Sequence, residues 1–263
     1  MAAARYAHLK PEELRFHLEA GRPIILPLGA LEWHGDHLPL GLDGLVAEHL
    51  SERLGELTEG VVLPTLYAPI TTLPHPYSVD SEARTVTDLL EGQIGCLARA
   101  GAQVLAVVTG HYAQGHVLEL YNLAERLGRT YPHLAIVAGS PLEPLGDAYL
   151  DHAARYETSQ MLAVQADLVD LSGLPDHPKP MDHAVLGEDP REASAEEGER
   201  LMQQALGAWH GWLNRAASAQ GDAWLRQHYA TRRQAYARYV DRYYRESWEQ
   251  ALRDWWRERT REE

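Results

Sequence analysis

The chain has 263 residues, 45% hydrophobic and 24% charged, which is enough for one large domain or two small ones around a sizeable core. Its 38 acids outnumber its 24 lysines and arginines, and the net charge of −14 repels phosphate backbones and argues against a general nucleic-acid binder. One cysteine, Cys96, excludes an intrachain disulfide framework and a Cys-rich zinc site, so any metal must be held by the 14 histidines and the carboxylates.

Residues 1–21 hold no uninterrupted apolar stretch of signal-peptide length and read as a short helix opening at Pro11-Glu12-Glu13. No later apolar run approaches the length that spans a bilayer, so no membrane partner is expected. With one thiol and no export signal, the expected compartment is the cytoplasm. Residues 23–28 are strand-like, and the turn-rich residues 29–43 follow. Asp43 reads as the N-cap of a helix through residue 57. Residues 61–66 form a second strand, and residues 67–77, with Pro69, Pro74 and Pro76, a loop. A helix through residue 100 carries Cys96 as a packing residue and stops at Gly101, a fitting C′ position. Residues 103–109 (QVLAVVT) are the clearest buried strand. A loop at 110–114, a helix at 115–127, a strand at 134–138 and a helix at 154–168 complete the alternation.

Apolar strands without polar alternation imply a parallel sheet covered on both faces. The expected fold is a single α/β domain, residues 1–215, with a mostly parallel sheet flanked by helices. Residues 171–191, rich in proline and glycine and carrying His177 and His183, are a loop suited to a lid. Residues 194–215 are helical, with Glu196, Glu197 and Glu199 in the early turns. Residues 216–263 read as a C-terminal amphipathic extension. Tyr236, Tyr239, Val240, Tyr243, Tyr244, Trp248, Leu252, Trp255 and Trp256 recur there at three- to four-residue steps. That stripe predicts a helix packed on its own domain or on a subunit neighbour.

No G-x-S-x-G, G-x-x-x-x-G-K, G-x-G-x-x-G or H-E-x-x-H motif occurs, so serine-nucleophile and dinucleotide chemistry lack their usual support. Three other stretches carry chemistry. The first, residues 29–43 (GALEWHGDHLPLGLD), lies just past a strand end, where open α/β sheets place ligands. Glu32 and His34 share a face of an extended segment, and Asp43 can turn back toward them. Two carboxylates and an imidazole suit Zn²⁺ or Mn²⁺, although a polar loop with a capping Asp43 has the same letters. The second, Thr109-Gly110-His111-Tyr112-Ala113, also follows a strand. The third, Asp151-His152-Ala153-Ala154-Arg155-Tyr156-Glu157-Thr158-Ser159, reads alone as a helix N-terminus stabilised by Asp151.

Together the three stretches resemble the creatininase family (creatinine amidohydrolase and relatives). The first matches the signature Glu-x-His-Gly-x-His-Leu-Pro-Leu-Gly-x-Asp with Trp33 at the variable place, the second a post-strand Gly-His loop, and the third a His-Ala-x-x-x-Glu-Thr-Ser element. Residues 187–198 also fit, and the resemblance covers about residues 21–213 in one order. It implies a metal-dependent hydrolase of an α/β fold, acting on a small amide or cyclic amide and assembled as a homo-oligomer, commonly a hexamer. On this resemblance Glu32, His34, Asp43, His111 and Glu157 fall on metal-ligand positions, with Asp43 bridging, and His152 falls on the proton-transfer position. The implied cofactor is one or two divalent ions, Zn or Mn, with Fe as a further candidate.

The chain departs from the pattern at Ala113, where creatinine-hydrolysing members have a glutamate ligand, which bears on the second ion. It has Ala148 and Tyr149, and no tryptophan, before His152, which disfavours creatinine itself. Ala83-Arg84-Thr85 replaces a Pro-Gly-Thr element, and Arg84 either enters the pocket to meet an anionic substrate or makes a surface salt bridge. Tyr112, Tyr149 and Arg84 are the candidate substrate-binding residues. A non-catalytic relative, or a peptide- or formamide-processing one, is the alternative reading.

Overall fold

Every residue of β2 (Ile24–Gly29) and β5 (Val104–Thr109) is buried, and successive residues serve opposite faces of the sheet. Ile24, Leu26, Leu28, Leu105 and Val107 enter one core, while Ile25, Val104, Ala106 and Val108 enter the other. Both faces are apolar, which is why the strands show no polar alternation. The structure is a computed structural model and describes residues 3–245.

The first face is covered by α1 (Pro11–Glu19), α3 (Ala83–Arg99), α4 (Gln114–Thr130) and α8 (Gly221–Arg245), and the second by α2 (Leu42–Thr58), α5 (Arg155–Gln165) and α7 (Ala195–Ala216). The short α6 (Pro180–His183) lies within the loop at 171–191, and the remaining strands are β1 (Ala4–Arg5), β3 (Val61–Val62), β4 (Leu66–Tyr67) and β6 (Ala135–Gly139). All pairings are parallel, in the order β1-β3-β2-β5-β6, with β4 also on β2. The fold is thus the expected one: a parallel sheet between two helical layers. The strand expected at residues 61–66 is two short pieces, both paired with β2.

From β2 the chain crosses to β3 on one side, whereas β5 and β6 lie on the other. The order therefore reverses at β2, and in open α/β sheets the ligand crevice lies at such a point, beyond the carboxyl ends of the strands, here β2 and β5. Two local expectations are corrected. Helix α2 starts at Leu42 behind the N-cap Gly41, so Asp43 is its second residue and leaves its carboxylate free for another task. Cys96 is exposed on α3 and accepts from Arg99 Nη2 at 3.2 Å, because it falls off the apolar stripe formed by Leu90, Ile94 and Leu97.

The described part of the C-terminal extension belongs to the same core. Tyr229 of α8 donates to Ile136 O at 2.6 Å and accepts from Ala138 N at 3.2 Å, which satisfies the outer edge of β6. Arg232 reaches the buried Glu143, Nε to Oε1 at 3.0 Å, and Asp147 at 2.8 Å. Trp248, Leu252, Trp255 and Trp256 lie outside the described residues. Among the described residues no helix is long and apolar enough to cross a membrane.

His228 of α8 sits between Trp212 and Trp224, with ring centroids 4.7 and 5.3 Å away, and also meets Tyr121 and Tyr229. Burial, then Arg232, pushes it from 6.5 down to about 4. The unfolded chain therefore takes up this proton first. The stabilising contribution is complete above about pH 6.5 and is lost as pH falls toward 4, by at most about 3 kcal/mol. A His228→Phe variant should show a flatter decline of urea stability over pH 6.5–4, followed by tryptophan fluorescence; an unchanged decline removes His228 as the cause.

Candidate metal centre

Leu28 of β2 pairs with Thr109 of β5, so the loops after both strands leave side by side. The N-terminus of α2 rests on these strand ends because glycines let it. A Cβ on Gly29 would lie 2.4 Å from Gly44 Cα, and one on Gly110 would lie 1.9 Å from Asp43 O. Backbone cannot yield there, so Gly110→Ala should cost about 3 kcal/mol, the upper range for overpacking. That is roughly 6–12 °C in a thermal melt. A melt within 2 °C of wild type would show that the close approach is not needed.

Asp43 thereby stands over the crevice with its two oxygens turned to different histidines. His34 Nε2 is 3.2 Å from Oδ1, and His111 Nδ1 is 3.3 Å from Oδ2. His111 Nδ1 also lies 2.9 Å from Glu32 Oε2, and His34 Nε2 lies 3.6 Å from Glu157 Oε2. Two triads share Asp43, Glu32–Asp43–His111 and His34–Asp43–Glu157, each with ligand atoms within 4.8 Å and all five residues buried; Glu32, His34 and His152 form a third set at the same spacing. Neither triad draws on residue 113.

The ring nitrogens facing away from the triads are tied down. His34 Nδ1 donates to Glu32 O at 3.0 Å, and His111 Nε2 donates to Ile70 O at 3.0 Å. The nitrogens left over face carboxylate oxygens, and His34 Nε2 and Asp43 Oδ2 have no hydrogen-bond partner. His116, which sequence reasoning did not single out, tightens this arrangement. Its Nδ1 accepts from Ile70 N at 3.2 Å, and its Nε2 meets Thr109 Oγ1 at 3.1 Å, which in turn donates to His111 O at 2.7 Å. The Ile70 peptide is thus clamped between two buried imidazoles. Glu32 Oε1 accepts from Leu73 N and Glu157 Oε2 from Ala153 N, each at 2.5 Å, which fixes both carboxylates.

Burial penalises charge on every one of these groups, and at all of them but Glu157 the neighbours prevail. Against burial, Asp43 and Glu157 hold His34 up to about 10, and Glu32 with Asp43 holds His111 well above its usual value. Burial raises Glu157 to about 8, opposed by His34 and helped by Asp43 and Asp151. Among the described residues no lysine or arginine pairs with these three buried carboxylates; the charge facing them comes from His34 and His111, in the place a cation would take. Imidazole nitrogens aimed at shared carboxylate oxygens, with their far nitrogens anchored on carbonyls, are a donor set that suits divalent cations once the facing protons leave. The residues fit the group.

His152 flanks the second triad. Its ring lies over His34 with centroids 4.4 Å apart, its Nε2 donates to Trp33 O at 3.1 Å, and its Nδ1 is 3.9 Å from Glu157 Oε2. Its backbone pairs with Leu186 in both directions, so the end of the loop at 171–191 is bound to it. Burial, then His34, pushes the ring down to about 4. Asp151 accepts from the amides of Tyr156 and Glu157 at 2.7 and 3.1 Å, stabilising the start of α5 as its sequence predicts.

The three expected substrate contacts diverge. Tyr112 is half-buried beside the centre and donates to Asp151 O at 2.5 Å. The Tyr149 ring meets Tyr156 edge-on at 5.2 Å. The Arg84 side chain is 91% exposed in the first turn of α3 and pairs with Asp88 at 3.5 Å. An exposed helical arginine keeps its hydration at no cost, so the surface salt bridge is the outcome. His177 and His183 join neither triad.

A model of the creatininase family, described as creatinine amidohydrolase, matches residues 7–213, well over half of the chain. The chain belongs to the creatininase family. A curated creatinine amidohydrolase of Pseudomonas putida is 29% identical over 179 residues, covering 59% of this chain and 69% of that protein. A crystal structure of creatinine amidohydrolase superposes with a TM-score of 0.69 at 26% identity, over 84% of this chain and 98% of the other. A mutant creatininase of zinc–zinc type gives 0.66 at 26% identity, over 79% and 95%. The creatininase fold thus accounts for the whole α/β body.

Proposed function

We propose that this creatininase-family chain is a metal-dependent amidohydrolase that cleaves a C–N bond of a small amide or cyclic amide. The observation that carries the reading is the pair of buried triads sharing Asp43. Glu32, Asp43 and His111 would hold one ion, and His34, Asp43 and Glu157 the other. Nitrogen and oxygen donors suit Zn²⁺ or Mn²⁺, and similar solved creatininases of zinc–zinc and of manganese form support both. Bound ions would supply a water of lowered pKa and polarise the scissile carbonyl.

The chain's own residues supply the rest. His152 has committed Nε2 to the Trp33 carbonyl, so Nδ1 is the nitrogen that takes and returns a proton. It faces the centre beside Glu157, in position to pass that proton to the departing nitrogen. Burial of the triads excludes bulk water and strengthens every charge interaction on the substrate. Assembly as a homo-oligomer in the cytoplasm is part of the same reading.

Elemental analysis of protein purified without chelator tests it, followed by hydrolysis of lactams, formamides and short peptides with each metal. One to two ions per chain and turnover of a small amide are expected. Less than one ion per chain, with no rise on reconstitution, would sink the proposal. Metal without turnover of any amide would favour the non-catalytic alternative.

A further inference from the structure

The first motif contains a second histidine that no triad uses. His37 is buried, and its Nε2 donates to Ala153 O at 2.9 Å across 116 residues of sequence. Ala153 has φ +49, a left-handed conformation that its Cβ disfavours. Residues with a Cβ hold such a conformation only when their surroundings impose it. Here the surroundings act at both ends of the residue. The Ala153 N–H donates to Glu157 Oε2 at 2.5 Å, and the Ala153 carbonyl is taken by His37. The residue before it is His152, and the ring of His152 lies over His34.

His37 is itself fixed. Its backbone carbonyl accepts from Asp170 N at 3.0 Å, and a Cβ on Gly35 would fall 2.7 Å from its Nδ1, so Gly35, at φ +72, leaves room for the ring. Nδ1 is buried without a partner. Burial pushes the ring down to about 4, so it is neutral and Nε2 carries its one proton.

We infer that His37 is a positioning residue for the second triad: it holds Ala153 left-handed and thereby aims the Glu157 carboxylate and the His152 imidazole at the metal centre. The two histidines of the motif then divide the work. His34 faces an ion, and His37, three residues on, fixes the segment that supplies the opposite wall. The inference rests on the proposed metal-dependent function for its effect, and on Ala153 alone for its geometry.

The pair His37→Gln and His37→Asn tests it. Both replace the ring with an amide, but only glutamine places its donor near the position of Nε2. Zn²⁺ is titrated into metal-free protein against a chromophoric chelator. Wild type should take up two ions. His37→Asn should lose about 10- to 100-fold in affinity for one ion and leave the other unchanged, the usual scale for an outer hydrogen-bond partner. His37→Gln should stay within about threefold of wild type. Unchanged affinities in His37→Asn, or equal losses in both variants, would overturn the inference. Failure of wild type itself to take up zinc would count against the proposed function instead. A crystal structure of His37→Asn decides the geometry in either event: Ala153 at negative φ supports the inference, and Ala153 still near +49 refutes it.

Discussion

An Asp43→Asn variant is expected to lose metal from both triads and about a thousandfold or more of turnover. Asparagine keeps the shape of the side chain but offers one acceptor oxygen and no charge. The two carboxylate oxygens serve different histidines, His34 through Oδ1 and His111 through Oδ2, so no rotamer of the amide serves both. Metal stabilisation of a transition state is worth several kcal/mol, and each 1.36 kcal/mol is tenfold in rate, which gives the expected scale. Glu32→Gln and Glu157→Gln each touch one triad and should each leave one ion bound. Elemental analysis and turnover of the best amide substrate decide the matter. A full metal complement in Asp43→Asn would mean that Asp43 does not bridge.

His152→Ala is expected to keep its metal while turnover falls by about 10²- to 10⁴-fold, the usual range for removing a general acid or base. The distinction has a structural basis. His152 can also be grouped with Glu32 and His34 as a ligand set, but its Nε2 is committed to the Trp33 carbonyl and its Nδ1 stands 3.9 Å from Glu157. Loss of one ion in His152→Ala would reassign it as a ligand. Undiminished turnover with metal retained would remove it from the proton path. The neighbouring Tyr112 hydroxyl is pushed well above 10 by burial and by Glu157, so it stays protonated at neutral pH and serves as a donor, not a base.

Much of this centre is legible in the letters. The apolar runs at residues 23–28 and 103–109 can be satisfied only by burial on both faces, and β2 and β5 follow. A polar, glycine-bearing stretch after each of two such strands marks the end of the sheet where ligands collect. The spacing of Glu32 and His34 and the resemblance to the creatininase family point to the five residues that the fold brings together. Arg84 was ambiguous for a physical reason: a charged residue at a helix start serves either a pocket or the surface, and only the helix's orientation separates the two.

Asp43 shows the division most clearly. Its position before an apolar helical pattern predicts a cap, and the helix does begin there. Starting two residues earlier, behind Gly41, moves the carboxylate off the cap and over the crevice. That shift is set by the contact of Gly29 with Gly44 and of Gly110 with Asp43, pairs distant in sequence. His37 stands in the quoted signature without a role, and His116 carries no signal at all. The value of each lies in a carbonyl or amide far along the chain, Ala153 for one and Ile70 for the other.

The sequence by itself determined the parallel sheet, the absence of a disulfide framework, and the residue types that can hold a cation, because these follow from hydrophobic pattern and ligand chemistry within short segments. Only the tertiary structure decided which oxygen of Asp43 meets which histidine, which imidazole nitrogen faces the centre, and that Ala153 is held left-handed. Those facts depend on hydrogen bonds and backbone contacts between segments tens of residues apart, and local pattern carries no record of them.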